Sequence, residues 1–336
     1  MLFSLKALSS AMGLLPLVVA NIQDIQTRDT VSQYLVVLAR YTDAQAAADD
    51  TIERRLVEPV IPINPTDANF GISAVAPGRF VTSADGTKIF AEARGNPLKP
   101  AIVFIHGFGI GAMAFNEIFD DLVWLDQAYL VRYDTRGHGR SDKPTTAAAW
   151  VSQRLAEDFD AVVQSYNLNK PFVLGWSIGA THIADILSFH PPSYISGIIY
   201  DAAAPDMDSL FSIAAPGPVA LLILISSTSA TPALEWNFYL ACLGDGVVQP
   251  RAATQFLFTR TQNSTGLLQA GTSGALPLLA IFGANDKVVM EQPILNVIAG
   301  WQRLNVTTLP NAEHFTWISQ PVLFRQTVLQ WITHHP

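Results

Sequence analysis

Apolar runs that recur between amphipathic stretches limit the folds open to this chain more than any other feature. Residues 101–105, 129–133, 171–174 and 195–200 read as short buried strands, and residues 115–125, 150–166 and 180–189 between them carry helical periodicity. Parallel neighbours need a long crossover, and such crossovers are right-handed. The alternation therefore predicts an α/β domain with a mostly parallel central sheet and helices on both faces. A hairpin should precede it, because Asp85-Gly86 separates the strand-like residues 79–83 and 88–93. The rhythm returns late in the chain, with strands expected over 276–282 and 306–309 and helices near 293–303 and 322–332.

Residues 204–275 interrupt that rhythm. Pro205, Pro216, Pro218 and Pro232 restrict any helix there to a few turns, while Trp236, Phe238, Tyr239, Phe256 and Phe258 make the segment too apolar for a disordered linker. We read it as an inserted cap that divides the core into residues 77–203 and 276–336. Upstream, residues 21–76 read as a helical segment, opened by the capping-box spacing Thr30-Val31-Ser32-Gln33, and a strap marked by Pro59, Pro62 and Pro65. Residues 1–20 hold one charge, Lys6, an apolar stretch and the small-residue ending Val18-Val19-Ala20. That pattern predicts a signal peptide and a secreted product, with entry into the endoplasmic reticulum or an N-terminal anchor as the alternative. The sequons Asn263-Ser264-Thr265 and Asn305-Val306-Thr307 are compatible with a glycoprotein.

Composition narrows the function classes. Hydrophobic residues make up 49% and charged residues 14%, so a sizeable core can be buried. The net charge of −8, without a lysine or arginine cluster, argues against a nucleic-acid partner. One cysteine, Cys242, permits no internal disulfide and no cysteine-based metal site, and it reads as a packing residue. No cofactor is implied.

The pentad Gly175-Trp176-Ser177-Ile178-Gly179 stands between an apolar run and a helical stretch. At such a sharp turn a serine hydroxyl is held clear of the sheet, and the glycines avoid collisions with neighbouring elements. The strings at Gly71-Ile72-Ser73 and Gly271-Thr272-Ser273 begin alike but end in Val75 and Ala275. A serine needs a base, and the base needs a carboxylate to fix its tautomer. Among seven histidines, His314 follows the final strand, where its loop can lie over the carboxyl edge of the sheet. Asp286, directly after the strand over 276–282, is the candidate acid, and Asp201, at the end of the preceding strand, is its rival. The backbone amides of Phe108 and Ile178 are candidate oxyanion donors, with the Phe108 and Trp176 side chains as apolar walls, although Trp176 reads equally well as a core residue.

In these features the chain resembles the α/β-hydrolase superfamily. His106-Gly107-Phe108-Gly109 is similar to its oxyanion loop, Asp134 to Pro144 to the loop after the next strand, and the pentad to its nucleophile elbow. The order serine, aspartate, histidine is the order of that superfamily. The resemblance runs from about Arg79 to Trp331, with residues 204–275 where members carry a variable cap. It implies an α/β-hydrolase fold and a serine hydrolase acting on a carboxylic ester, thioester or lactone. Ser177 stands where epoxide hydrolases and haloalkane dehalogenases carry aspartate, which argues against those chemistries. Gly109 stands where non-haem haloperoxidases usually carry proline, which weighs against perhydrolysis and keeps it as an alternative. Carbon–carbon bond hydrolysis and a ligand-binding protein on the same scaffold are the others. The apolar, charge-poor cap points to an uncharged small-molecule substrate; it leaves oligomeric state open.

Overall fold

Successive side chains of a strand point to opposite faces, and the strands here divide their residues in that way. Val103 and Ile105 enter one core, and Ile102 and Phe104 enter the other. Val173 likewise faces one core, while Phe172, Leu174 and Trp176 face the other. Strands apolar at every position bury both faces, so both sides of the sheet must be covered. The computed structural model describes residues 78–213 and 244–335. The leader-like residues 1–20, the segment 21–76 and the part of the expected cap that holds Cys242 lie outside them.

The strands are β1 (Arg79–Thr82), β2 (Lys88–Gly95), β3 (Ala101–Ile105), β4 (Tyr129–Tyr133), β5 (Phe172–Trp176), β6 (Gly197–Asp201), β7 (Leu278–Gly283) and β8 (Leu304–Leu309). They form one eight-stranded sheet in the order β1-β2-β4-β3-β5-β6-β7-β8. The β1/β2 and β2/β4 pairs are antiparallel, and every other pair is parallel. The anticipated hairpin thus forms the antiparallel edge of an otherwise parallel sheet. The chain has an α/β-hydrolase fold.

Helices α1 (Asn116–Asp120) and α2 (Leu122–Gln127) follow β3. One helix was expected over 115–125. Asp121 divides it, because its backbone is extended and its carboxylate accepts the Val123 N–H at 2.8 Å, which starts a new helix. Helices α3 (Ser152–Ser165) and α4 (Thr181–Phe189) carry Leu155, Phe159, Val162, Ile183 and Ile186 into the first core. After β6 come α5 (Met207–Ile213), a helical turn at 244–248, α6 (Arg251–Thr259) and α7 (Thr265–Thr272). Helix α7 lies against α4 so closely that a Cβ on Gly266 would stand 2.3 Å from the Leu187 carbonyl oxygen. The last helices are α8 (Glu291–Ile298), α9 (Thr316–Ser319) and α10 (Pro321–Thr333), and α10 seats Phe324, Val328 and Ile332 in the second core. Among the described residues, no helix is long and apolar enough to cross a membrane.

Candidate active site

Strand β5 runs to Trp176, and the next residue turns sharply. Ser177 has φ of 55°, a left-handed conformation that costs a non-glycine residue about 1–2 kcal/mol. It opens a short 3-10 turn, Ser177–Ala180, that leads into α4, and it is half-buried where the residues on either side are buried. Close packing imposes the flanking glycines. A Cβ on Gly175 would stand 2.3 Å from the Ala180 Cα, and one on Gly179 would stand 2.4 Å from the Ile105 carbonyl oxygen.

His314 and Asp286 meet because their loops are joined by backbone bonds. Ala284 N–H donates to the Leu309 carbonyl at 3.0 Å and Asn285 N–H to the Ala312 carbonyl at 2.8 Å. Gly283 lies so near the His314 loop that a Cβ there would be 2.5 Å from the Glu313 carbonyl oxygen. Asp286 accepts the Val288 and Val289 N–H groups on Oδ1, at 2.7 and 3.1 Å. Its Oδ2 lies 2.9 Å from His314 Nδ1. A carboxylate beside Nδ1 fixes the tautomer with the proton there, so Nε2 keeps its lone pair. The two side chains are 1% and 3% exposed, and His314 Nε2 is buried without a hydrogen-bond partner.

Asp201, the rival acid, is engaged elsewhere. Its Oδ1 accepts the Thr316 hydroxyl at 2.6 Å, and its Oδ2 is buried without a partner. Burial pushes its carboxyl well above the usual range, and the charge of nearby Asp286 adds to the effect. A carboxyl group held neutral is poorly suited to stabilise an imidazolium.

The turn after β3 carries Phe108. His106 precedes it, with Nε2 accepting the Thr135 N–H at 2.9 Å. Nδ1 therefore carries the proton and donates to the Gly107 carbonyl at 2.7 Å. Burial holds His106 below the ordinary imidazole range, consistent with this neutral role. Farther along, Ala112 N–H donates to Asp134 Oδ1 at 2.7 Å. Burial opposes ionisation of Asp134, but the charge and hydrogen bonds of Arg140 outweigh it and hold the carboxyl low. The Asp134–Pro144 loop thus buttresses the Phe108 turn. Among the described residues, neither the Phe108 nor the Ile178 N–H is taken up in a turn or loop hydrogen bond.

Phe108 is partly exposed, and its ring meets Phe258 of α6 at 4.9 Å and His138 at 6.0 Å. Trp176 is not a wall of the site. It is fully buried in the second core against Phe315 and Trp317, because alternation along β5 sends it to the face opposite its neighbours. Two contacts that support the site were not legible in the sequence. Trp176 Nε1 donates to the His314 carbonyl at 2.9 Å, and Asp245, in the stretch between β6 and β7, accepts the Gly111 N–H at 2.6 Å. Both contacts span well over a hundred residues, beyond any local pattern. Among the described residues, no group of histidine, cysteine, aspartate or glutamate side chains is arranged to hold a metal.

The family described as the alpha/beta hydrolase family matches residues 102–327. The protein named "Probable oxidoreductase EphD" of Mycobacterium bovis is 28% identical over 204 residues, 60% of this chain and 33% of that protein. The chain therefore spans about a third of the length of the first curated relatives it matches. The pimeloyl-[acyl-carrier protein] methyl ester esterase of Edwardsiella ictaluri is 26% identical over 249 residues, 67% of this chain and 90% of that enzyme. Among solved structures, the esterase RhEst1 from Rhodococcus sp. ECU1013 superposes with a TM-score of 0.67 at 21% identity, covering 77% of this chain and 99% of that one. At that identity the likeness shows the fold alone. With the match to residues 102–327 set on this sheet and its strand-end residues, the chain belongs to the alpha/beta hydrolase family.

Proposed function

We propose that this hydrolase is a serine enzyme that cleaves a carboxylic ester, thioester or lactone through an acyl-enzyme intermediate. The observation that carries the reading is the 2.9 Å bond from His314 Nδ1 to Asp286 Oδ2, which leaves Nε2 unpartnered at the sheet edge that also bears Ser177. Ser177 Oγ attacks the acyl carbon while His314 Nε2 takes its proton. Asp286 orients the ring and stabilises the imidazolium. The amides of Phe108 and Ile178 bind the oxyanion, each donor lowering the barrier by about 3 kcal/mol. His314 then protonates the leaving group and activates the water that releases the acid. The name of the Edwardsiella relative, a methyl ester esterase, agrees with ester chemistry.

A fluorophosphonate probe tests the reading. Wild-type protein should be labelled, and Ser177→Ala should not be labelled and should lose roughly 10⁶-fold in kcat. Equal labelling of both proteins would exclude Ser177 as the nucleophile. A panel of p-nitrophenyl esters of rising chain length, together with simple lactones, then reads the acyl preference. Secretion is part of the proposal on the strength of residues 1–20, and N-terminal sequencing of exported protein should find Asn21 first.

A further inference from the structure

The Phe108 turn is held from two directions. From the core side, His106, Thr135 and Asp134 fix Gly107 and Ala112, as described above. From the opposite side, residues of the insertion reach the same turn at Phe108, Gly109 and Gly111. Phe258 of α6 stacks edge-on against Phe108 at 4.9 Å. Gly246, in the helical turn at 244–248, faces Gly109, with room for an added Cβ at an ordinary 3.7 Å from the Gly109 carbonyl oxygen. Asp245 Oδ2 accepts the Gly111 N–H at 2.6 Å.

Gly111 is thereby caught between two carboxylates. A Cβ on it would stand 2.8 Å from Asp134 Oδ1 and 2.8 Å from Asp245 Oδ2. The N–H groups of Gly111 and Ala112 are taken by carboxylates from different parts of the chain, 134 and 22 residues away. Two like charges so close oppose each other, and a fold that needed only packing here would place an apolar side chain in the second position. A carboxylate supplies what an apolar group cannot, a strong acceptor for a backbone N–H. The turn between His106 and Gly111 is short and contains Gly107 and Gly109, the latter at φ of 76°, so its shape depends on anchors at both ends.

On these observations, and resting on the serine-hydrolase reading, we propose that Asp245 is a positioning residue: it locks the far end of the oxyanion turn and couples docking of the insertion to the donor at Phe108. Asp245 touches no reacting atom. It acts through Gly111 on the placement of the Phe108 N–H, where displacement of an ångström or less is enough to lower the rate strongly.

The test uses the full chain and p-nitrophenyl acetate, with kcat referred to the concentration of serine titrated by a fluorophosphonate, so that unfolded protein drops out. Asp245→Ala and Asp245→Ser should each lower kcat about tenfold with KM changed less than about twofold. They should weaken inhibition by a trifluoromethyl ketone, whose adduct carries an oxyanion, by a similar factor. Asp245→Asn keeps an oxygen acceptor at the same reach and should retain kcat to within about threefold of wild type. Wild-type kcat in Asp245→Ala, or an equal loss in Asp245→Ala and Asp245→Asn, would overturn the positioning role while the wild type still labels. Failure of the wild type to label would instead overturn the serine-hydrolase reading on which the role rests.

Discussion

The indole of Trp176 is bonded to the carbonyl oxygen of His314 at 2.9 Å, with the two rings 5.3 Å apart. Trp176 is the residue before the elbow serine, so this bond ties the end of β5 to the loop that carries the candidate base. The same indole presses on Gly107, where a Cβ would stand 2.6 Å from it. One buried side chain therefore touches the elbow, the base loop and the oxyanion turn. Trp176→Phe keeps a ring and removes the N–H, leaving a buried carbonyl unpaired at a cost of about 1–3 kcal/mol. We expect a lower melting temperature and about a tenfold lower kcat on a p-nitrophenyl ester, with KM nearly unchanged. An unaltered kcat would mean that the bond does not position His314.

Asp286 bonds the His314 ring and Asp201 bonds Thr316 two residues farther on, so their environments point to different tasks. Asp286→Asn should reduce kcat/KM by roughly 10⁴-fold, as loss of the orienting carboxylate does in other triads. Asp201→Asn keeps an oxygen for the Thr316 hydroxyl and replaces a neutral group with a neutral group, so activity should stay within about fivefold. A severe loss at Asp201 alone would reverse the assignment.

Asp201 also leaves a signature in stability. Burial raises its carboxyl pKa in the folded state, so above pH about 4 the folded protein holds a proton that the unfolded chain has released. Stability then falls as pH rises toward the folded value. Asp201→Asn lacks that slope and should gain in melting temperature relative to wild type between pH 5 and 8. A constant difference across that range would contradict a buried neutral Asp201.

The glycines of the elbow and of the hairpin should differ sharply in tolerance. Gly179→Ala drives a methyl group into the Ile105 carbonyl oxygen, a backbone clash that cannot relax, and should cost more than about 4 kcal/mol. Gly86 has φ of 88° but meets nothing within 4 Å of an added Cβ, so Gly86→Ala should cost only about 1 kcal/mol of conformational strain. Urea titration of both variants measures the contrast.

Three buried histidines should make the protein sensitive to acid. Burial lowers the pKa of His106, of His138 to about 3, and of His182 well below the usual range, with the charge of Arg260 also acting on His182. Below pH about 6.5 the unfolded chain binds protons that the folded state refuses, so stability is lost as pH falls. Each such histidine can contribute up to about 1.4 kcal/mol per pH unit. Thermal unfolding from pH 7.5 to 5 should show this decline, and His138→Asn should make it shallower.

The strands and their order in the chain were legible because their signals are local. Runs such as 101–105 and 129–133 coincide with β3 and β4, and even the face of each residue follows from alternation. The elbow was legible for the same reason, since a strand, a turn and a helix lie within a few residues. Asp121 escaped because its capping of α2 competes with a continuous helical pattern that runs across it. Trp176 stood open between site wall and core, and only the packing of Phe315 and Trp317 around it decided for the core.

The sequence by itself determined the parallel α/β sheet, the strained turn at Ser177 and a short roster of residues at strand ends, because backbone periodicity and close packing are written within a few positions. The tertiary structure alone decided which of two carboxylates faces His314, since that rests on the backbone bonds from Ala284 and Asn285 to Leu309 and Ala312. It also decided that Asp245 stands on Gly111, a contact across 134 residues. A hydrogen bond is chosen by distance and direction in space, and no periodicity along the chain carries that information.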